Sequence, residues 1–194
     1  MKFTQIPTDT FKQLQLNAGV LAKNFTPSTG DLESDSLIGA TSGGITFEAT
    51  PSFTDYGEDI DNCPKNMMEF KRLDSWEAKL SGTFISLTAE TAKMLTAAAD
   101  IDSTDATHIV PRNDIATSDF QTIWWIGDYS DLNGKSNGGF CAIKLKNALS
   151  TGGFKITSTD DAKGTFEFEF TGHYSMDAQD EVPFEIYIKA GTEE

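Results

Sequence analysis

Ser75-Trp-Glu-Ala-Lys-Leu-Ser-Gly-Thr-Phe-Ile-Ser86 is the stretch that decides the fold class of this chain. Trp76, Ala78, Leu80, Gly82 and Phe84 fall on one side of an extended segment, with Glu77, Lys79, Ser81 and Thr83 on the other. Side chains alternate across a strand, so this period of two predicts a strand with one buried face and one wet face. Residues 163–174 repeat the pattern, with Phe166, Phe168 and Phe170 interleaved by Glu167, Glu169 and Thr171. Residues 183–188 place Phe184, Ile186 and Ile188 together on one face. Further strands are expected over residues 44–50, 119–127 and 139–145, with a short one around 154–157 between the turn signals Gly152-Gly153 and Asp160-Asp161. Thr122-Ile-Trp-Trp-Ile126 is apolar on both faces and predicts a strand covered on both sides.

Gly, Asn, Asp and Ser punctuate these runs at short intervals, which favours an antiparallel sandwich or barrel over a parallel α/β sheet. The fold class expected is mostly β, in one domain over residues 1–194, with a single flanking helix over 88–99. Thr88 suits an N-cap, Glu90 lies in the first turn, and Met94, Leu95 and Ala98 form a narrow apolar stripe. Residues 142–149 fit a short helix or a strand equally well. The expected core is Trp76, Leu80, Phe84, Trp124, Phe166, Phe168 and Phe170.

Two segments resist burial. Residues 24–43 are rich in Ser, Thr, Gly and acid and read as an exposed loop. Residues 51–74 read as a long connection carrying Asp55, Glu58, Asp59 and Asp61 beside Met67, Met68 and Phe70. A connection of that length inside a compact domain is usually either functional or mistakenly assigned, and its mixed acidic and apolar content suits docking on another subunit.

Fifteen Lys and Arg stand against thirty Asp and Glu, a formal net charge of -15. Such a surface repels nucleic acid and anionic membranes, because phosphate binding needs cations that displace counterions. No apolar run approaches the length of a membrane span, and the first residues lack the apolar stretch of a signal peptide. Cys63 and Cys141 show no CxxC spacing and read as free thiols of a protein made in a reducing cytoplasm.

Catalytic chemistry finds little material. His108 and His173 lie far apart, with no Glu or Cys at ligand spacing, and no GxSxG elbow exists. Gly39-Ala-Thr-Ser-Gly-Gly44 lacks the Lys-Ser/Thr ending of a phosphate loop and precedes a strand where a helix should begin. Asp128-Tyr-Ser-Asp-Leu-Asn-Gly134 fails the calcium-loop register, since Tyr129 stands at the first ligand position and Phe140 at the last. It reads as a hairpin loop. Phe166, Phe168 and Phe170 could stack bases, but their neighbours are acids, so the stripe reads as core. No catalytic residue, metal ligand or cofactor is expected.

Taken together, several stretches resemble the major tail tube proteins of long-tailed phages and prophages. They are Leu37-Ile-Gly-Ala-Thr-Ser-Gly-Gly-Ile-Thr-Phe-Glu-Ala-Thr-Pro-Ser-Phe53, Asp55-Tyr-Gly-Glu-Asp-Ile-Asp-Asn62, Ser75 to Phe84 as quoted, Phe120-Gln-Thr-Ile-Trp-Trp-Ile-Gly-Asp-Tyr129 and Gly164-Thr-Phe-Glu-Phe-Glu-Phe-Thr-Gly-His-Tyr174. Their joint order carries the resemblance, over about residues 10 to 189. It implies a β-sandwich with a flanking helix, six copies closing into a ring, and rings stacked around a channel that passes genomic DNA. It further implies tail-tip and tail-terminator partners, a tape measure protein in the lumen, no membrane partner, and a place in the virion tail after assembly in the bacterial host cytoplasm.

On this reading residues 51–74 form the contact between rings, residues 1–25 an N-terminal arm or first strand, and residues 191–194 a C-terminal tail. The polar faces of residues 44–50 and 75–86 would line the lumen, presenting Glu48, Glu77, Lys79, Ser81 and Thr83. Two other readings compete. One is the inner tube of a contractile tail or phage-tail-like bacteriocin, and the other is a carbohydrate-binding sandwich using Trp76, Trp124 or Trp125 as a sugar platform.

Overall fold

A computed structural model describes residues 6–129 and 138–192. In chain order the elements are β1 (Gln15–Ala22), β2 (Thr41–Asp55), β3 (Lys71–Phe84), α1 (Ala89–Thr96), β4 (Ala99–Ile101), β5 (Ile109–Pro111), β6 (Gln121–Tyr129), β7 (Gly139–Ser150), β8 (Lys155–Thr157), β9 (Thr165–Thr171) and β10 (Phe184–Lys189). The fold is mostly β. Apart from the small β4–β5 hairpin, every strand joins one antiparallel system in the order β1-β6-β7-β9-β3-β2, with β10 beside β7 and β8 beside β9.

That system folds over on itself at β7. Residues from Phe140 to Leu145 pair with both β6 and β10, while Leu149 and Ser150 pair with β9. The strand therefore leaves one layer (β1, β6, β7, β10) and enters the other (β2, β3, β9, β8). The corner is Asn147, whose φ of 46° lies in the left-handed region that Asn tolerates better than most residues. Its Nδ2 donates to the His173 carbonyl at 3.0 Å, and His173 Nδ1 lies 3.1 Å from the Asn147 carbonyl.

The apolar side of each layer faces the other. Leu21, Ile123 and Leu145 from the first layer meet Ala78, Leu80, Phe84, Phe166, Phe168 and Phe170 from the second, with Leu95 of α1 closing one end. Gly82 lies on the same face, where an added Cβ would stand 2.8 Å from Phe168 Cζ. A second cluster of Ala22, Phe25, Trp124 and Ala142 covers the outer side of the first layer. Ile123 and Trp124 thus serve opposite cores, as the doubly apolar sequence of β6 implies.

Several expectations need correction. Residues 51–74 are not one loop: 51–55 and 71–74 are paired strand, from Pro51↔Trp76 to Asp55↔Lys71, so the true connection is 56–70. Of residues 1–25, expected as an arm or first strand, 15–22 are the sheet strand β1, and within the expected exposed loop at 24–43 Phe25, Ser36 and Ile38 are buried. The helix ends at Thr96, because Ala97 turns to positive φ and Ala99 starts β4. Its Thr88 cap holds, accepting from the Thr91 amide at 3.1 Å, but the buried face is Thr91, Ala92 and Leu95. Residues 142–149 are strand. Trp76 is only half-buried, because it sits at the open end of the sandwich with its ring edge-on to Phe184. Ile186 and Ile188 are exposed, because β10 is an edge strand that the second layer covers only at Phe184. The other six expected core residues are buried.

One buried charge organises the α1-to-β6 connection. The Arg112 guanidinium reaches both Asp119 oxygens at 2.7 Å, and its Nε lies 2.8 Å from Asp100 Oδ2, off the line of a hydrogen bond. Burial pushes the Asp119 carboxyl up, but the Ala116 amide and Arg112 outweigh it and hold the group below the usual carboxylate value. A depressed carboxyl contributes stability that is present above its unfolded value, about 3.9, and is lost as pH falls through the folded one. Asp119→Asn is expected to lower the urea midpoint at neutral pH and to lose less than the wild type on acidification to about pH 3. Equal acid sensitivity in both proteins would show that Asp119 carries no such linkage.

Candidate functional site: a polar sheet face and a projecting hairpin

The outer face of the second layer is built by the same alternation that fills the core. Cross-strand partners share a face, so its rows run Thr50–Glu77, Glu48–Lys79–Thr171, Thr46–Ser81–Glu169 and Thr83–Glu167–Lys155. The five residues expected to line a lumen therefore lie side by side. Glu48 and Glu77 are exposed, while Lys79, Ser81 and Thr83 are half-buried among their neighbours.

Four acids, Glu48, Glu77, Glu167 and Glu169, share this face with two lysines. Both lysines are already engaged, Lys79 with Glu77 and Lys155 with Glu167, each at 2.6 Å. The hydrogen bond and charge of Glu77, with smaller help from Glu169 and Glu48, push the Lys79 ammonium up. Hydroxyls fill the gaps: Thr50 Oγ1 donates to Glu48 at 3.3 Å, and Thr151 Oγ1 donates to Glu169 at 3.0 Å. A phosphate approaching this face meets acids and occupied cations.

The β2–β3 hairpin carries the second feature. Beyond Pro51 and Trp76 it leaves the core and ends in a folded tip. Asp55 accepts from the Gly57 amide at 2.9 Å and the Asn66 amide at 3.1 Å, clamping the two ends of the tip together. Cys63 lies 3.5 Å from the Met67 sulfur, and Asn62 and Asn66 turn the chain at positive φ. Asp55, Met67 and Phe70, expected to dock outward, are thus partly buried and build the tip itself. Glu58, Asp59, Asp61 and Met68 do face outward, Met68 being 80% exposed. Tyr56 and Ile60 join them, and the opposed pair Phe53↔Leu73 is exposed on the shaft. The sequence reading missed these four, although carrying the β2 alternation past Pro51 would have found Phe53.

The remaining candidates separate. His108 is exposed near Asp102, His173 clasps the β7 corner, and Cys63 and Cys141 are free and lie on different elements. Among the described residues no group of three or more His, Cys, Asp or Glu side chains is placed to hold a metal ion. Of the expected hairpin loop at 128–134, Asp128 and Tyr129 are strand residues paired with Phe140 and Gly139, and residues 130–137 lie outside the described residues. Of the expected C-terminal tail, Glu193 and Glu194 lie outside them too, as do residues 1–5 of the expected arm. No described helix is long and apolar enough to cross a membrane. The chain matches no protein-family model and no curated protein.

Proposed function

We propose that this chain is the structural subunit of a phage-type tail tube, which assembles into stacked hexameric rings around a channel for genomic DNA. The observation that carries this reading is a sheet whose free face is Ser, Thr, Glu and two ion-paired Lys, and whose two outer strands, β2 and β8, have open edges. An open edge offers unpaired backbone groups to another strand, and joining edge to edge around a ring removes them all. With the core side outward, the polar face becomes the lumen wall. Acid excess there keeps DNA phosphates from settling, so the DNA slides. The hairpin tip then reaches the next ring, and the tail-tip, tail-terminator and tape measure proteins are the partners at the ends and inside. A contractile-system inner tube is the neighbouring reading, which a sheath gene beside this one would favour. A sugar-binding sandwich fits poorly, since Trp124 is buried, Trp76 and Trp125 are half-buried, and the Trp125 indole donates to the Ala18 carbonyl.

Electron microscopy of the purified, concentrated protein in negative stain tests the proposal. Hollow tubes of stacked rings support it. Dispersed monomers that persist on co-expression with tail-tip proteins overturn it. A second expectation concerns the wall. Glu77→Lys with Glu169→Lys reverses two lumen charges away from the sheet edges. Tubes of this variant are expected to retain double-stranded DNA at about 50 mM salt and to release it near 200 mM, whereas wild-type tubes retain none. Equal retention by both would place this face outside the lumen.

A further inference from the structure

The two open edges of the second layer are complementary, and we propose the register in which a second copy joins them: Lys155 of one subunit opposite Glu48 of the next, with Ile156 on Phe47. This inference rests on the tube reading and names the contact that closes its rings.

Strand direction comes first. β2, β3, β9 and β8 alternate in direction, each pair being antiparallel. Setting the β2 edge of a copy in the same orientation beside β8 continues that alternation, so the seam is an ordinary antiparallel ladder.

Backbone groups come second. Gly172 N donates to the Ala78 carbonyl, so the core-facing residues of β3 turn their N–H and C=O toward β9. On β2 the core-facing Ile45, Phe47 and Ala49 then turn theirs to the open edge. Thr151 N donates to the Glu169 carbonyl on the far side of β9, which fixes the same parity there and leaves the backbone of Ile156 facing outward. Pro51 has no N–H to offer, and Gly43 and Gly44 bend β2 at positive φ where its register shifts. The pairable edge is therefore short, over residues 45–50, and suits the short β8.

Stagger fixes which residues meet. Four strands about 4.8 Å apart span about 19 Å, and a barrel tilt near 36° offsets such a step by about 14 Å, or four residues. Within one copy Lys155 lies level with Glu167 and Thr83, four rows from the level of Lys79 and Glu48. The right-handed twist of strands sets the sense of the offset, with the polar face inside. That sense carries Lys155 to Glu48 of the neighbour and not away from it. The offset is the same for any number of subunits with this tilt.

Chemistry agrees with the geometry. Ile156 is 56% exposed and Phe154 44% exposed on the core side of the β8 edge, while Ile45 and Phe47 are half-buried on the core side of the β2 edge. The proposed register lays Ile156 on Phe47 and extends one apolar layer across the seam. On the lumen side Lys155 bridges its own Glu167 and the neighbour's Glu48.

Charge exchange and cross-linking test the register. Lys155→Glu and Glu48→Lys are each expected to raise the concentration needed for tube assembly at least tenfold, with the near-ultraviolet circular dichroism of the monomer unchanged. The double exchange is expected to restore assembly. With Cys63→Ser and Cys141→Ser as background, Phe47→Cys plus Ile156→Cys is expected to give a covalent ladder on oxidation, since opposed strand residues have Cα atoms about 5.5 Å apart, within disulfide range. Tubes that form normally with Lys155→Glu, or tubes whose 47 and 156 cysteines stay reduced, overturn the register and leave the tube reading standing. Absence of any ring or tube from the wild type overturns both. If the cysteine variant does not fold, the charge exchange alone decides.

Discussion

Replacing residues 56–70 by an Asn-Gly turn is expected to yield a folded protein that forms no tubes. The turn joins Asp55 to Lys71, which already oppose each other, and Asn-Gly is the dipeptide that a two-residue hairpin favours. No residue of the deleted tip belongs to either core cluster, so stability is expected to stay within about 1 kcal/mol of the wild type. Assembly loses Tyr56, Ile60 and Met68, exposed apolar side chains on a tip that is already folded before it meets a partner. A preordered tip gives up little conformational freedom on docking, which makes it effective for its size. Because the proposed seam between β8 and β2 is untouched, single rings are the expected end product by electron microscopy. Tubes of normal length from this variant would remove the hairpin from the contact between rings.

Phe170→Ala is expected to cost about 3–5 kcal/mol in chemical denaturation, a large share of the 5–15 kcal/mol typical of a whole domain. Phe170 is fully buried, lies 5.5 Å from the Phe168 ring, and opposes Leu80 across the strand pair. Removing its ring leaves a hole between layers that are held apart by their other aromatics. Ile186→Ala, on the exposed side of β10, is expected to change stability by less than about 0.5 kcal/mol. Similar costs at the two sites would mean that the interior is not where β9 places it.

Legibility followed burial. β3 and β9 have one face in the core and one in water, so a strict alternation marks them and their polar residues were found together with their apolar ones. The hairpin shaft has water on both sides. Nothing forces a period of two there, and Pro51 with scattered acids disguised paired strand as loop. β1, expected only as an arm or first strand within residues 1–25, shows no clean alternation to fix its bounds: Asn17 and Gly19, at φ 62° and 71°, break its register against β6 between Leu16 and Val20. β10 misled in the opposite direction, since on its clean apolar face only Phe184 is packed against the core, while Ile186 and Ile188 are left exposed. Asp55 shows the limit for the candidate surface. Its charge marked it as solvent-facing, whereas two backbone amides claim both carboxylate oxygens, and sequence spacing carries no trace of that closure.

The passage of β7 through both layers has a mechanical consequence. Where every crossing between two sheets is a loop, the sheets resist sliding chiefly through the side chains packed between them. Here any pull on the polar layer travels along a covalent backbone through Asn147 into the opposite layer, where β6 and β10 flank the same strand. β7 is the strand that both layers pair with, so a load on one layer passes to the other along a hydrogen-bonded strand as well as through the loops and side chains between them.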